Sequence, residues 1–234
     1  MNKNLEVISL IYKSTEYLDF IYNQLKEVSA DGWDVGYRIV ANDANSEVLS
    51  RLSELSAKHT VYKDENPDDF YLNRVYRCWN HSVITSEYDN VCLVNSDMLF
   101  SKNWLSNLLR YHDGKHVPCS RLVESGKMPS GLHGVSKNFG RSPKDLDFTS
   151  WHNFVEKQKS EGAHIGGLYM PCVFSKDSFL KSGGYPPGNV FLEEDRLVVG
   201  YPNDRPVWAS GDEFFFYRLS KEQGLKHITV FDSL

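Results

Sequence analysis

Apolar runs alternate with segments of helical periodicity along the first half of the chain. Four short runs predict strands, at positions 5–11, 37–41, 60–62 and 91–94. The run at 5–11 predicts a buried strand, and the run at 91–94 predicts one that is buried on both faces. The segments between the four runs place apolar residues at helical spacing, at positions 14–28, 47–58 and 70–86. This alternation of strands and helices predicts a mainly parallel sheet with right-handed crossovers.

The second half of the chain is less regular. Its pattern predicts helices at 104–111, 151–159, 175–181 and 212–223, and strands at 116–122, within 165–174 and at 227–231. Positions 123–150 are rich in Gly, Pro, Ser and basic residues and predict a long irregular region. No repeat or linker divides the sequence, so we expect one domain over residues 1–234.

Carboxylates follow two of the predicted strands. Asp43 lies just after the second strand, and Asn95-Ser96-Asp97 directly follows the run at 91–94. In open α/β sheets, ligands bind at the carboxyl ends of the strands. A carboxylate flanked by oxygen-bearing side chains there suits a hard divalent cation that holds a phosphate. The alternative is that these residues only form turns or cap the next helix.

Composition excludes some functions and favours others only slightly. The net charge of −5 argues against a sequence-independent grip on nucleic acid, which needs clustered Lys and Arg. The chain has 13 Tyr, 13 Phe and 5 Trp, which form core but also stack on bases and sugar rings. No Gly-x-Gly-x-x-Gly turn or Walker-type loop is present, so two common nucleotide-binding modes are unsupported.

The cysteines and the amino terminus indicate a cytoplasmic protein. No two of the four cysteines are spaced as a Cys-x-x-Cys motif, and a chain of this length needs no disulfide framework. The first residues lead into a strand pattern without the apolar core of a signal peptide. No apolar run is long enough for a transmembrane segment.

Six short motifs, in order along residues 7–229, resemble those of the family 2 glycosyltransferases, which transfer a sugar from a nucleotide donor. They are residues 7–12, Asn42-Asp43, Asn73-Arg74, Asn95-Ser96-Asp97, Gly183-Gly184-Tyr185 and residues 211–219. The resemblance implies the α/β GT-A fold, with a Rossmann-like, mostly parallel central sheet flanked by helices and an irregular acceptor-side region. Residues 1–112 would then bind the nucleotide sugar, and residues 113–234 would bind the acceptor.

The resemblance also implies roles for individual residues. The donor would be bound by Tyr12, Asp43, Asn73, Arg74, Asn95, Ser96 and Asp97. A divalent metal, Mn²⁺ or Mg²⁺, would rest mainly on Asp97, because Asn95 stands where the family has its first Asp.

Side-chain chemistry suggests candidates for a second metal ligand and for the acceptor contacts. His227 could complete the metal site, although a lone histidine is usually structural. The acceptor would meet Gly184, Tyr185 and Trp208, whose two aromatic rings could stack on a sugar.

A carboxylate must accept the proton of the attacking hydroxyl group. Asp212 and Glu213 are the first candidates, because they begin a predicted helix whose dipole favours their charged form. The family has Glu before Asp at this place, which leaves Glu194-Asp195 as an alternative source of the base. Asp212 and Glu213 could also serve only as helix caps.

The expected function is a metal-dependent glycosyltransferase that inverts by direct displacement. It would move a sugar from a nucleotide-diphosphate sugar, with a UDP-sugar favoured, to a hydroxyl acceptor such as a glycan. One alternative is a sugar-1-phosphate nucleotidyltransferase, which normally has a Gly-rich basic loop where this chain has Tyr12-Lys13-Ser14-Thr15. Another is a non-catalytic domain that binds a nucleotide sugar or glycan.

Overall fold

The computed structural model describes residues 2–126, 130–193, 196–200 and 206–234. The helices are α1 (Thr15–Leu25), α2 (Ser46–Glu54), α3 (Tyr71–Ile84), α4 (Trp104–Leu109), α5 (Phe148–Gln158), α6 (Lys176–Ser182) and α7 (Gly211–Gln223). The strands of the central sheet are β1 (Asn4–Ile11), β2 (Asp34–Asn42), β3 (His59–Tyr62), β4 (Asn90–Asn95), β5 (His116–Ser120), β8 (Ala163–Ile165), β9 (Cys172–Ser175) and β12 (Lys226–Val230). Two small sheets contain β6 (Val123–Glu124) with β7 (Val135–Ser136), and β10 (Asn189–Glu193) with β11 (Arg196–Gly200).

The central sheet has the order β3-β2-β1-β4-β9-β5-β12-β8. Strands β1 to β4 are parallel, and β9 is antiparallel to both β4 and β5. Strand β12 is parallel to β5, whereas β8 is antiparallel to β12. The predicted mostly parallel sheet is therefore confirmed. The carboxyl ends of β1, β2, β4, β5 and β12 all lie at one edge, which we call the carboxyl edge.

Helices cover both faces of the sheet because its strands alternate between two hydrophobic clusters. On β1, Leu5 and Val7 pack with α1, α2 and α4. Ile8 faces the other way and packs with α3, α6 and α7. The apolar runs of β1 and β4 are thus buried on both sides, as predicted, whereas β3 lies at the edge of the sheet and Val61 on it is 49% exposed.

Helix ends follow their local sequence. The Ser14 hydroxyl accepts a hydrogen bond from the Tyr17 N–H at 3.3 Å, which starts α1. Gly224 ends α7 in the left-handed conformation, with φ of 69°. Because α7 leads directly into β12, the first turn of α7 lies at the carboxyl edge of the sheet.

The second half contains structure that the sequence pattern did not predict. Part of the expected irregular region forms β6 and β7, which pair in parallel, and α5 begins three residues before the predicted helix. The strand predicted within 165–174 is β9, which begins only at Cys172, and a second strand, β8, ends at Ile165. Within the described ranges, no helix combines the length and the apolar character needed to cross a membrane.

Candidate functional site

Three predicted donor-binding residues meet where β1 and β2 end. An Asp43 carboxylate oxygen accepts a hydrogen bond from the Arg74 guanidinium at 3.1 Å, and both side chains are at least four-fifths buried. The other Asp43 oxygen accepts from the Asp64 N–H at 3.0 Å. The Arg74 guanidinium also lies 5.6 Å from the centre of the Tyr12 ring. Hydrogen bonds from Lys13 and then Arg74 lower the pKa of Tyr12.

Asp43 has a backbone conformation that is uncommon for a residue with a side chain. Its φ is 47°, in the left-handed region that Asp and Asn tolerate better than other non-glycine residues. Such strain persists only where neighbouring contacts hold it, and it is concentrated at functional sites. Here the bonds to Arg74 and to the Asp64 N–H hold the carboxylate in place.

The metal-motif residues lie beside this cluster. Asn95 ends β4, and Ser96 and Asp97 form the turn that follows; Asn95 and Asp97 are exposed. The Tyr71 ring lies 6.0 Å from the Tyr12 ring, and burial followed by the charge of Asp97 raises the pKa of Tyr71. Tyr71 is therefore near both Tyr12 and Asp97. No sequence motif had singled it out.

Asn73 belongs to a supporting network. Its amide nitrogen donates to Asp69 at 3.1 Å, and its buried oxygen has no partner within the described residues. Arg77 binds Asp64 through two nitrogens at 2.9 Å and Asp69 at 2.7 Å. Burial acts to raise the pKa of Asp64, but the hydrogen bonds from Arg77 and the Asn66 N–H hold it below its usual value. The network fixes the loop whose Asp64 N–H binds Asp43.

The two candidate bases begin α7 and differ in their contacts. An Asp212 oxygen accepts from the Glu213 N–H at 3.1 Å and from the Tyr76 hydroxyl at 3.4 Å. The Glu213 side chain is exposed and has no hydrogen bond or ion pair to the described part of the chain. Burial and then the charges of Glu213 and Asp212 raise the pKa of Tyr169 to about 12. Glu213 is thus the more accessible of the two carboxylates.

The first turns of α3 connect the two groups of residues. Arg74 pairs with Asp43, and two residues later Tyr76 contacts Asp212. Both helix starts lie at the carboxyl edge, because α3 leads into β4 and α7 leads into β12. The donor-side cluster and the acidic pair, which are about 170 residues apart in sequence, therefore share one edge of the sheet.

A cleft of about 460 Å³ opens next to Asp97, and we call it the Asp97 cleft. Its walls come from α1, from residues 121–125, from residues 137–143 and from Trp151 of α5. Glu124 of β6 lies in this cleft, and burial followed by the charge of Asp97 raises the pKa of Glu124. Two carboxylates thus line one cleft. No motif marks Glu124 in the sequence, because it lies in the region 123–150, which has no regular hydrophobic pattern.

His227, the second predicted metal ligand, lies away from Asp97 in the sheet. Strand pairing aligns Leu93 with Cys172, Cys172 with Cys119, and Cys119 with Thr229. His227 therefore lies about four residues, or ~13 Å along the strands, behind the end of β4.

The contacts of His227 explain its burial instead. Its ring packs between Tyr169 and Phe216, with Nε2 3.1 Å from the Leu168 carbonyl oxygen. Burial lowers the pKa of His227 to about 4. The side chain is a neutral core histidine.

Two of the three predicted acceptor contacts are structural. The Tyr185 ring is only 2% exposed and is covered by Tyr76 and Phe215, so its burial does not support the predicted contact with the acceptor. Gly184 has φ of 70°, and an added Cβ would lie 2.6 Å from Asn80 Oδ1. This position requires glycine for packing. Trp208 is 44% exposed and lies edge-on to Tyr217 at 5.8 Å, so its role stays a prediction.

The alternative acidic pair, Glu194-Asp195, lies outside the described residues. Within them, no three His, Cys, Asp or Glu side chains are grouped so that they could enclose a metal ion. Asp97 offers one exposed carboxylate, and proteins usually hold Mg²⁺ through one or two carboxylates together with substrate phosphates.

No known protein-family model matches this chain, and neither does any curated protein. Two solved structures are similar to it. One is GalNAc-T7 with UDP, GalNAc and Mn²⁺, with 12% identity, a TM-score of 0.60, and coverage of 98% of this chain and 43% of that chain. The other is the mannosyltransferase PcManGT from Pyrobaculum calidifontis with GDP-Man and Mn²⁺, with 14% identity, a TM-score of 0.53, and coverage of 96% and 54%.

The chain thus spans about half the length of these two structures. Both are glycosyltransferases of the GT-A type, so the likeness confirms the predicted fold class: an α/β chain with a large central sheet flanked by helices. At these identities the likeness concerns the fold alone. Membership of family 2 stays a prediction.

Proposed function

We propose that this protein is a metal-dependent glycosyltransferase that moves a sugar from a nucleotide-diphosphate sugar to a hydroxyl acceptor such as a glycan. Residues 1–112 form the donor-binding half and residues 113–234 the acceptor-binding half of a single domain. The observation that supports this proposal best is the shared edge of the sheet. Asp43, Asp97 and the Asp212-Glu213 pair come from distant parts of the sequence and lie at the carboxyl edge.

The donor nucleotide lies along the cluster at the ends of β1 and β2. Asp43 accepts two hydrogen bonds from the protein, and a carboxylate has about four acceptor sites. The remaining sites suit an N–H group on the edge of a base such as uracil, which favours a UDP-sugar. Tyr12 offers a ring face, and Arg74 offers positive charge to a phosphate.

The residues beside the cluster fit a hard divalent cation. Asp97 is exposed and accepts no hydrogen bond from the described residues, and the exposed Asn95 offers an amide oxygen nearby. Carboxylate and carbonyl oxygens are the donors that Mg²⁺ and Mn²⁺ prefer. When bound to Asp97, the ion would neutralise negative charge that develops on the departing diphosphate.

Glu213 serves as the general base in this proposal. The acceptor oxygen forms a bond to the anomeric carbon while the bond from that carbon to the diphosphate oxygen breaks. The proton of the acceptor hydroxyl passes to the Glu213 carboxylate, which starts the reaction ionised near the positive end of α7. Attack opposite the leaving group inverts the anomeric centre. Asp212 is held by Tyr76 and positions the start of the helix.

Trp208 provides an aromatic surface on the acceptor side. Its exposed indole lies four residues before Asp212 and contacts Phe214 and Tyr217 edge-on. Aromatic faces of this kind pack against the apolar face of a sugar ring. This position supports a role in holding the acceptor close to Glu213.

Turnover of a panel of nucleotide sugars tests the proposal. The purified chain is incubated with Mn²⁺, each nucleotide sugar and a mixture of glycan acceptors, and the released nucleoside diphosphate and the glycosylated product are measured. We expect release from at least one donor, and a fall of about 10²–10⁴-fold in kcat for Glu213→Gln with little change in donor affinity.

The same experiment separates the alternatives. Formation of sugar-1-phosphate in the presence of pyrophosphate would indicate a nucleotidyltransferase. Donor binding without turnover, and without an effect of Glu213→Gln, would indicate a non-catalytic binding domain. Either result would overturn the proposed function.

A further inference from the structure

The Asp97 cleft has the size of a small-ligand site and an unusual set of charges. Its volume of about 460 Å³ is within the range of ligand pockets in proteins. Two acidic side chains line it, Asp97 and Glu124, and three basic ones, Arg121, Lys137 and Arg141. The cations come from the segments that separate β5 from α5. They are therefore contributed by the proposed acceptor half.

None of these three cations is paired with a carboxylate of the described residues. Arg121 donates to the backbone oxygens of His133 at 2.8 Å and Gln158 at 3.3 Å. The Lys137 ammonium lies over the rings of Phe139 and Phe154, at 5.7 and 4.8 Å from their centres. These contacts with carbonyl oxygens and aromatic rings leave the positive charge in place.

Arg141 is the most available of the three. Its side chain is exposed, and its guanidinium has no hydrogen bond or ion pair to the described part of the chain. By contrast, the nearby Lys144 lies outside the cleft lining and pairs with Glu16 at 3.2 Å. The cleft therefore carries positive charge that this chain does not neutralise itself, next to the proposed site of sugar transfer.

We propose that the Asp97 cleft binds a part of the acceptor that carries a negative charge as a carboxylate or phosphate group, while the reacting hydroxyl lies by Glu213 and Trp208, which are outside the cleft lining. This inference rests on the proposed glycosyltransferase function. The nucleotide is assigned to the cluster of Asp43, Arg74 and Tyr12, none of which lines the cleft, and a metal at Asp97 would counter the charge of its diphosphate. The cations of the cleft are then available to the acceptor. Arg141 and Lys137 favour a negatively charged acceptor over a neutral one through charge-assisted hydrogen bonds.

Matched pairs of sugars that differ only in charge test this selection. Binding to the full chain is measured by calorimetry or ligand-observed NMR, without any nucleotide. Methyl β-glucuronide is compared with methyl β-glucoside, and glucose 6-phosphate with glucose, so that the two pairs distinguish a carboxylate from a phosphate source. We expect the charged member of at least one pair to bind about tenfold or more tightly, which corresponds to one charge-assisted hydrogen bond.

Two variants test whether the cations of the cleft cause the preference for charged sugars. In the double variant Lys137→Gln, Arg141→Gln, the charged sugar should bind no better than its neutral partner. In Lys144→Gln, which removes a charge of the same sign from the same loop outside the cleft, the preference should be unchanged. Equal or absent binding of both members in both pairs overturns the proposal, and so does a preference that persists in the double variant or disappears in Lys144→Gln.

Thermal stabilisation by UDP and Mn²⁺ distinguishes a failure of the charge selection from a failure of the glycosyltransferase proposal. The thermal stabilisation by UDP and Mn²⁺ should be the same in the double variant and in the wild type. Its loss in the double variant would mean that these cations hold the diphosphate, which overturns their assignment to the acceptor. Absence of any nucleotide response in the wild type, together with a retained preference for charged sugars, would contradict the glycosyltransferase proposal but not the charge selection.

Discussion

Replacement of Asp43 by Asn is expected to destabilise the chain and to weaken donor binding together. The carboxylate accepts from both Arg74 and the Asp64 N–H, and both charged side chains are at least four-fifths buried. An amide keeps one oxygen but presents an NH₂ group, which cannot accept a hydrogen bond, to the second donor. Loss of a hydrogen bond to a charged group costs about 1.5–3 kcal/mol. For a chain of this length, this corresponds to a fall in Tm of about 3–12 °C.

A second Asp–Arg pair on the surface provides a matched control. Asp19 binds Arg51 at 2.8 Å, but their side chains are 41% and 38% exposed, so Asp19→Asn should cost less than about 1 kcal/mol. The free energy of unfolding is measured by guanidinium titration for both variants, and the shift in Tm is measured with and without UDP and Mn²⁺. Equal stability losses in the two variants would refute the view that Asp43 and Arg74 form a buried, pre-organised pair. An undiminished nucleotide shift in Asp43→Asn would remove Asp43 from the donor site.

Three further predictions concern the bases and the core. Glu213→Gln should lower kcat more than Asp212→Asn, because the Asp212 carboxylate already accepts a hydrogen bond from Tyr76. A larger fall in kcat for Asp212→Asn in steady-state assays would make Asp212 the general base instead of Glu213. Tyr185→Phe should leave the free energy of unfolding unchanged or raise it by about 1 kcal/mol, because the buried Tyr185 hydroxyl has no partner within the described residues. A higher KM for the acceptor in this variant would instead support the predicted contact of Tyr185 with the acceptor. His227 has a pKa of about 4 when folded and ~6.5 when unfolded, so protons favour the unfolded chain as pH falls from 6.5 to 4. Denaturation at several pH values should show a smaller fall in stability over this window for His227→Gln, and an unchanged fall would exclude His227 as its source.

The first half of the fold was predictable because two of its strands, β1 and β4, are buried on both faces. The runs at 5–11 and 91–94 are continuous apolar segments, and β1 and β4 match them to within one residue at each end. The intervening helices have apolar positions at regular spacing and a recognisable cap at Ser14. In this half, local sequence and tertiary packing favour the same structure.

The second half was less predictable because its strands are short and depend on distant partners. Strand β9 is inserted antiparallel between β4 and β5, and no local pattern encodes that choice of partners. Strands β6 and β7 have two residues each, which is too short for any periodicity. Glu124 could not be predicted as a site residue for the same reason.

The candidate site was predicted in part. The motifs led to Asp43, Arg74, Asp97 and the Asp212-Glu213 pair, which the fold places along the carboxyl edge. They did not show that the Tyr185 ring is buried or that His227 packs against Tyr169 and Phe216, since a residue type does not reveal the packing of its ring. The ion pair of Asp43 with Arg74 was not predicted either, because it depends on how α3 packs against β2.

The assignment of Asp97 as the ligand of a metal that holds the nucleotide is tested by the effect of Mn²⁺ on nucleotide binding. The Tm of the wild type and of Asp97→Asn is measured with UDP alone, with Mn²⁺ alone and with both. We expect UDP and Mn²⁺ together to raise the Tm of the wild type by more than the sum of their separate effects, and we expect Asp97→Asn to lose this excess while its Tm without ligands is unchanged. An excess of the same size in Asp97→Asn, or no response of the wild type to UDP, GDP or dTDP with Mn²⁺, would show that Asp97 does not hold a metal for the nucleotide.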